Sequence, residues 1–535
     1  MGRDPSGSGG LSSPDRRKLL VALVFGATNA AALSRLGGTK QAGGRAGQRG
    51  TGAASGGLFD DAGSGPADPP ALDDATAEPE PGHLYDTVIA NGRVIDPETG
   101  FDRVAHIGID GRTITAVSLT PLEGRQPIEA TDLVVAPGFI DILSYEPNSY
   151  GIWYKVADGV TTNLGMHGIN MRAADYFARF ANEGSPCHYG GAYDNPFMRG
   201  EGGLGLGSGE AASATQIDAL VADAHQQLTD GWIGIDLEPE YTPGVEFEEL
   251  RRLAEVAAER GVTCYVHGRY SDMEQPGTNR DTLKEILDLA RETGCAVHVD
   301  HITSTGGTFS MDESLSTLTD AIDEEGIDVS ACMYPYQFWA TYLGSPRFAD
   351  GWQERYHIGY DDLVIPGTGE RLTETSFRQY REDNKLAAAF GIPEDDVRAA
   401  LRSPLVMIGS DAILEPGNNN HPRSTGCFSR VLGHYVRDRE VLGLRAALAK
   451  MTVMPARRLE SAVPAMRRKG RLQRGADADI TVFDPATVED RSTIDNPAQA
   501  SVGIEWVVVA GQVVQSPEGQ HKDALAGQPI TYGAS

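Results

Sequence analysis

Two runs decide how this chain folds: FEELRRLAEVAAERGVTCYVHGR at residues 247–269 and DTLKEILDLARETGCAVHVDH at residues 281–301. Each is an amphipathic helix followed by a short apolar strand: Phe247–Arg260 then Thr263–Val266, and Asp281–Thr293 then Ala296–Val299. A histidine follows each strand, His267 in one case and His301 in the other. The same unit recurs on both sides, as Asp218–Leu228 before Trp232–Leu237 and Asp312–Glu325 before Asp328–Met333. Repeated helix and strand units of this length argue for a parallel sheet. Polar residues just past strand ends (His267, His301, Tyr334 and Asp411) stand where a (β/α)8 barrel builds its site. The expected fold class is therefore α/β, a (β/α)8 TIM-like barrel over residues 138–459. An open doubly wound sheet is the alternative, although no G-x-G-x-x-G follows a first strand to support a dinucleotide fold.

Outside this middle the pattern changes to short β-prone runs. Tyr85–Val94, Ala105–Ile109 and Thr113–Ser118 are separated by Asn91-Gly92, Pro97-Glu-Thr-Gly100 and Asp110-Gly111, which are hairpin signals. Ala478–Phe483, Ile504–Val509 and Gln512–Val514 repeat the pattern at the far end. Residues 84–137 and 460–520 are thus expected to form one small composite β-sandwich domain. Residues 34–83 are rich in Gly, Ala, Ser, Pro and Asp without hydrophobic periodicity, the composition of a disordered linker. Ahead of them, Arg16-Arg17 precedes the moderately apolar run Leu19–Leu33, so residues 1–33 resemble a twin-arginine export signal. That run is too short and too polar for a span of about 20 apolar residues, which argues against a stable membrane anchor.

Of 535 residues, 46 are basic and 75 acidic, giving a net charge of −29 with 40% hydrophobic residues. This is a globular composition whose charge opposes nucleic acid and anionic membranes as partners. The five cysteines lack C-x-x-C spacing, so neither a disulfide framework nor a zinc ribbon is expected.

The chemistry concentrates at strand ends. Tyr265-Val-His267, His298-Val-Asp-His301 and Gly409-Ser-Asp411 offer two imidazoles and a carboxylate, ligand types that suit zinc. Together with Asn91-Gly-Arg-Val-Ile-Asp96, Val135-Ala-Pro-Gly-Phe-Ile-Asp141, Asp158-Gly-Val-Thr-Thr162, Tyr241-Thr-Pro-Gly244, Tyr334-Pro-Tyr336, His421-Pro-Arg423 and Gly475-Ala-Asp-Ala-Asp479, these motifs give a resemblance covering Tyr85 to Val514. The chain resembles the amidohydrolase superfamily, specifically the N-acyl-D-amino-acid deacylases, and within them the N-acyl-D-glutamate deacylase branch. The resemblance implies that His267 and His301 ligate metal after the fifth and sixth strands. It implies that Asp411, after the eighth, takes a proton from metal-bound water and passes it to the leaving amine.

Three departures stand out. The resemblance implies a His-x-His pair after Gly-Phe-Ile-Asp, but Leu143 and Tyr145 occupy those positions. The segment after Gly-Val-Thr-Thr brings His167 where the family has a Cys or Glu, so His167, His267 and His301 are expected to hold one zinc. Gly234-Ile-Asp236-Leu-Glu238-Pro-Glu240 carries acids where relatives have small residues, and period two places Asp236 and Glu238 on one face. Glu238 is a candidate replacement ligand or second proton carrier. Arg269 and Arg423 are candidates for gripping a substrate carboxylate, with Tyr334 and Tyr336 orienting the amide. Residues 340–403 are too long for a simple barrel loop and are expected to cover the site.

The expected function is an exported, zinc-dependent hydrolase acting on the amide of an N-acyl-D-amino acid or a related small acidic molecule. Because Leu143 and Tyr145 replace the His pair, non-hydrolytic chemistry (a cyclase, lyase or isomerase) or a metal-free binding protein remains the alternative.

Overall fold

A computed structural model describes residues 82–146 and 148–535; the arginine pair and nearly all of the expected linker lie outside the described residues. Eight parallel strands close a barrel. They are β1 (Phe139–Ser144), β2 (Val160–Gly165), β3 (His188–Gly191, continued by Tyr193–Asp194), β4 (Gly234–Leu237), β5 (Thr263–Val266), β6 (Ala296–Val299), β7 (Val329–Met333) and β8 (Val406–Ile408). β1 to β3 pair in order, as do Tyr193–Asp194 through β8. Closure comes from the Ser144–Ala412 bridge and from Asp411 N–H donating to Leu143 O. Lys155 reinforces the seam: its ammonium lies between Asp141 of β1 and Ser410 after β8.

The helices follow from spacing. Phe247–Arg260 buries Leu250, Leu253, Ala254 and Ala257, one stripe at helical period, and stops at Gly261, whose φ of 64° is left-handed. Asn279–Thr293 buries Leu283, Ile286, Leu287 and Ala290 and ends the same way on Gly294. Such stops return the chain to short strands, all but one of whose residues in β4, β5 and β6 are fully buried; the exception, Ala296, is half-buried. This explains their continuous apolar character.

The composite sheet has nine strands. Leu84–Asp96, Phe101–Asp110, Thr113–Ser118, Glu123–Glu129 and Val134–Pro137 come from before the barrel, and Ile480–Phe483, Ile504–Val509, Gln512–Ser516 and Gly519–Gln520 from after it. The two ends meet where Val134–Pro137 pairs with Ile480–Phe483. Asn91-Gly92 is not a hairpin turn. Leu84–Asp96 runs straight through it with a bulge: Asn91 takes φ 63°, and a Cβ on Gly92 would lie 2.4 Å from Val135 Cγ2. The expected covering segment is built from short antiparallel strands, Trp339–Tyr342, Leu363–Ile365, Glu370–Arg371 and Leu386–Ala389. The last residues of the chain return to the barrel, with Ile530 N–H donating to Tyr189 O. Among the described residues no helix is long and apolar enough to cross a membrane.

Candidate metal centre and active site

β2, β5 and β6 deliver three histidines to one end of the barrel. His167, His267 and His301 are each about 1% exposed and offer ring nitrogens within 4.8 Å of one another. His267 Nδ1 and His301 Nε2 lie 3.1 Å apart, so two imidazoles aim at one point. Their far nitrogens are engaged: His267 Nε2 is 2.6 Å from Glu240 and His301 Nδ1 is 3.3 Å from Thr305 Oγ1. A carboxylate or hydroxyl behind each ring fixes the tautomer and aims the other nitrogen inward, as metal-ligating histidines require. Burial, reinforced by the neighbouring imidazoles, pushes both His267 and His301 well below the ordinary histidine value, toward the neutral form that binds metal. His167 Nδ1 is buried without a hydrogen-bond partner. The donor set therefore fits a zinc ion.

Asp411 faces His301, with Oδ2 3.9 Å from Nε2. Its backbone is left-handed, φ 51°, and His301 is also unusual at φ 27°. Strain of order 1 kcal/mol at each is characteristic of functional positions. Burial raises the Asp411 carboxyl, and Arg423 opposes that rise.

Arg423 corrects one expectation. Its Nη2 lies 2.8 Å from Asp411 Oδ2 and its Nε donates to Asp411 O at 2.8 Å, so the guanidinium is engaged with the acid rather than open to a substrate. Arg269 corrects another: it forks onto Glu285 of the following helix and donates to Val245 O, away from the imidazoles. Tyr336 also turns away, packing on His421 and under Arg430. Tyr334 stays in the site, its ring 6.2 Å from His301 and 4.6 Å under Arg423.

Leu143 is buried and contributes no ligand atom. Tyr145 lies edge-on to His167 at 4.9 Å, and burial, with Asp411 and Glu238 nearby, holds its hydroxyl far above the ordinary tyrosine value, hence neutral. Asp236 and Glu238 do face the barrel interior, 3.5 and 3.3 Å from His167 Nδ1. Burial raises both carboxyls well above the usual range.

Arg347 is the main residue sequence reasoning missed. It reaches in from the covering segment, 3% exposed, to lie 3.4 Å from Glu240, with a hydrogen bond to Ser304 O. Ser271 and Tyr356 also donate to Glu240. Nothing in the spacing of residues 340–403 singles Arg347 out, since its partner is over a hundred positions earlier.

Comparison with known proteins gives a consistent pattern. The profile described as Amidohydrolase family matches residues 197–515. The N-acyl-D-glutamate deacylase of Alcaligenes xylosoxydans xylosoxydans is 33% identical over 486 residues, covering 80% of this chain and 93% of the relative. A D-aminoacylase crystal structure superposes with a TM-score of 0.72 at 25% identity, over 84% of this chain and 99% of that one. The N-acyl-D-glutamate deacylase of Bordetella bronchiseptica, complexed with zinc and a phosphonate inhibitor, gives 0.70 at 28% identity over 84% and 100%.

Proposed function

The chain belongs to the amidohydrolase family, and from that premise we propose that it hydrolyses the amide of an N-acyl-D-amino acid or a closely related small acidic amide. The observation that carries the reading is the convergence of three buried imidazoles on one point opposite an Arg-clamped aspartate. His167, His267 and His301 would hold one zinc. When bound, zinc lowers the pKa of water toward neutrality and stabilises negative charge developing on the acyl oxygen.

The protein's own groups do the rest. Asp411 takes a proton from the attacking water and gives it to the leaving nitrogen. Arg423 keeps that carboxylate oriented and favours its ionised form. Glu240 holds His267, and Arg347 holds Glu240. Glu238, beside His167, is the second proton carrier. Tyr334, with its hydroxyl lacking a hydrogen-bond partner, orients the amide. The segment 340–403 covers this end of the barrel and limits water. We further propose that the chain is exported, a reading supported by Arg16-Arg17 before Leu19–Leu33.

The test is a panel of N-acyl-D-amino acids with acidic and neutral side chains, offered to zinc-supplied protein with mass analysis of products. Free amine released only with metal present is the expected result. No release across the panel would overturn the reading, and a product lighter than substrate by one water would replace it with cyclisation.

A further inference from the structure

Tyr145 is the group at this end of the barrel that the proposed chemistry leaves idle. It directly follows β1, at a position where the resemblance implies a histidine. Three contacts fix it there. Its backbone N–H donates to Ala412 O at 3.2 Å, which anchors it beside Asp411. Its ring lies edge-on to His167, with centroids 4.9 Å apart. Gly168 makes room for that ring: a Cβ there would lie 2.4 Å from Tyr145 Cε1, and its φ of 57° also favours glycine. The ring is thus held between the imidazoles and the proton carrier, and it stays half-buried rather than sealed. Asp411, Glu238, Tyr241 and Arg423 are close enough to act on its hydroxyl electrostatically. They follow β8 and β4, strands on opposite sides of the barrel, so the hydroxyl reaches over the barrel mouth.

Water attacking an amide carbonyl leaves negative charge on the acyl oxygen, and a fixed donor aimed at that oxygen lowers the barrier. The two guanidiniums near the site are engaged elsewhere, Arg347 with Glu240 and Arg423 with Asp411. A phenol with an ordinary pKa of about 10 keeps its proton at neutral pH, so Tyr145 offers an O–H donor there. We propose that Tyr145 is a catalytic residue whose hydroxyl donates a hydrogen bond to the acyl oxygen as that oxygen becomes negatively charged. The bond strengthens between the bound amide and the tetrahedral intermediate, which is what turns binding into rate. The proton stays on the phenol throughout, and no covalent bond to Tyr145 forms or breaks. The position to which the resemblance assigns a metal ligand thus serves the acyl oxygen directly. This inference rests on the amide-hydrolysis reading and adds one residue to it.

Tyr145→Phe keeps the ring against His167 and Gly168 and removes only the oxygen. Zinc-supplied parent and variant, both as the full chain, are compared on the best substrate of the N-acyl-D-amino acid panel. Elemental analysis, melting temperature and inhibition by a phosphonate, in which tetrahedral phosphorus replaces the acyl carbon, are measured alongside. The variant should hold zinc and melt like the parent, keep its KM and lose about 10²–10³-fold in kcat, the usual worth of one such donor. The phosphonate should bind the variant more weakly, by a factor that tracks the fall in kcat/KM. An unchanged kcat overturns the inference. So does a fall in zinc content that matches the fall in kcat, which would make Tyr145 a metal ligand. A raised KM with kcat retained would make the hydroxyl a ground-state contact, and a much lower melting temperature would make it structural; each overturns the inference as well. A parent that hydrolyses the panel beside an unimpaired Tyr145→Phe sinks only this inference, whereas a parent that hydrolyses nothing sinks the functional reading and this one with it.

Discussion

His267 shows how one ring's chemistry is set by what stands behind it. Glu240 at 2.6 Å from Nε2 leaves Nδ1 turned toward His301. Such supporting carboxylates are worth roughly 10–100-fold in metal affinity, so Glu240→Gln should weaken zinc binding by about that factor, read by competition with a chromophoric chelator. Asp411 plays a different part, facing the imidazoles without completing the trio. Asp411→Asn should lower kcat by about 10²–10⁴-fold, the usual worth of a positioned proton carrier, with zinc content unchanged by elemental analysis. Residues of this kind were legible because strand alternation and strand ends predict where side chains converge, which located His267, His301 and Asp411. Arg269 was misassigned because that periodicity ends with the strand at Val266; beyond it the chain turns, and Glu285 on the next helix captures the guanidinium. Arg423 was placed in the right region with the wrong partner, since Asp411 lies twelve positions before it in an irregular loop.

At the scale of elements, the covering segment is tied to the barrel through charge as well as packing. Burial would raise the Glu240 carboxyl, and Arg347 opposes that rise from Pro346–Phe348, a single helical turn. Arg347 also lies 4.2 Å over the Trp339 ring, so the same guanidinium joins Trp339–Tyr342 to the loop after β4. Removing one partner of a buried pair strands the other, at about 3–5 kcal/mol. Arg347→Met should therefore lower unfolding free energy by about that amount in urea titration, and Arg347→Met with Glu240→Gln should recover much of the loss. The length of residues 340–403 marks them as more than a simple barrel loop, but their sheet was not legible. Leu363–Ile365 pairs with Leu386–Ala389 some twenty residues later, with a helix between, and three-residue strands carry too little alternation to declare a partner. The helices flanking β4 to β7 were read almost to their ends because a sustained apolar stripe and a stopping glycine are both local signals.

For the whole molecule, the question is what locks the composite sheet to the barrel in a chain carrying −29. Asp479 is the junction. Its Oδ1 lies 2.9 Å from His188 Nε2 at the start of β3 and accepts from Ala510 N–H, while Oδ2 accepts from Lys469 at 2.7 Å. The other nitrogen of His188 accepts from Gln528 N–H, so the returning C-terminal segment joins the same network. Burial would raise the Asp479 carboxyl, but His188 and Lys469 override it and hold the group well below the usual carboxylate range. A carboxyl depressed in the folded state favours folding above its unfolded pKa of about 3.9 and loses that contribution as pH falls below it. Asp479→Asn leaves the buried Lys469 ammonium with Asp477 as its remaining carboxylate and should cost about 3 kcal/mol at pH 7, the lower end for breaking a buried pair. The deficit relative to the parent should be flat from neutrality to about pH 5 and shrink steadily below about pH 4, because the parent then pays to protonate Asp479 while the variant has no such group. Denaturant titrations of both proteins across that range check it, and a deficit that stayed constant down to pH 3 would mean that the contribution of Asp479 is packing rather than charge. Since metal release in acid affects both proteins alike, the difference between them isolates the junction from the site it supports.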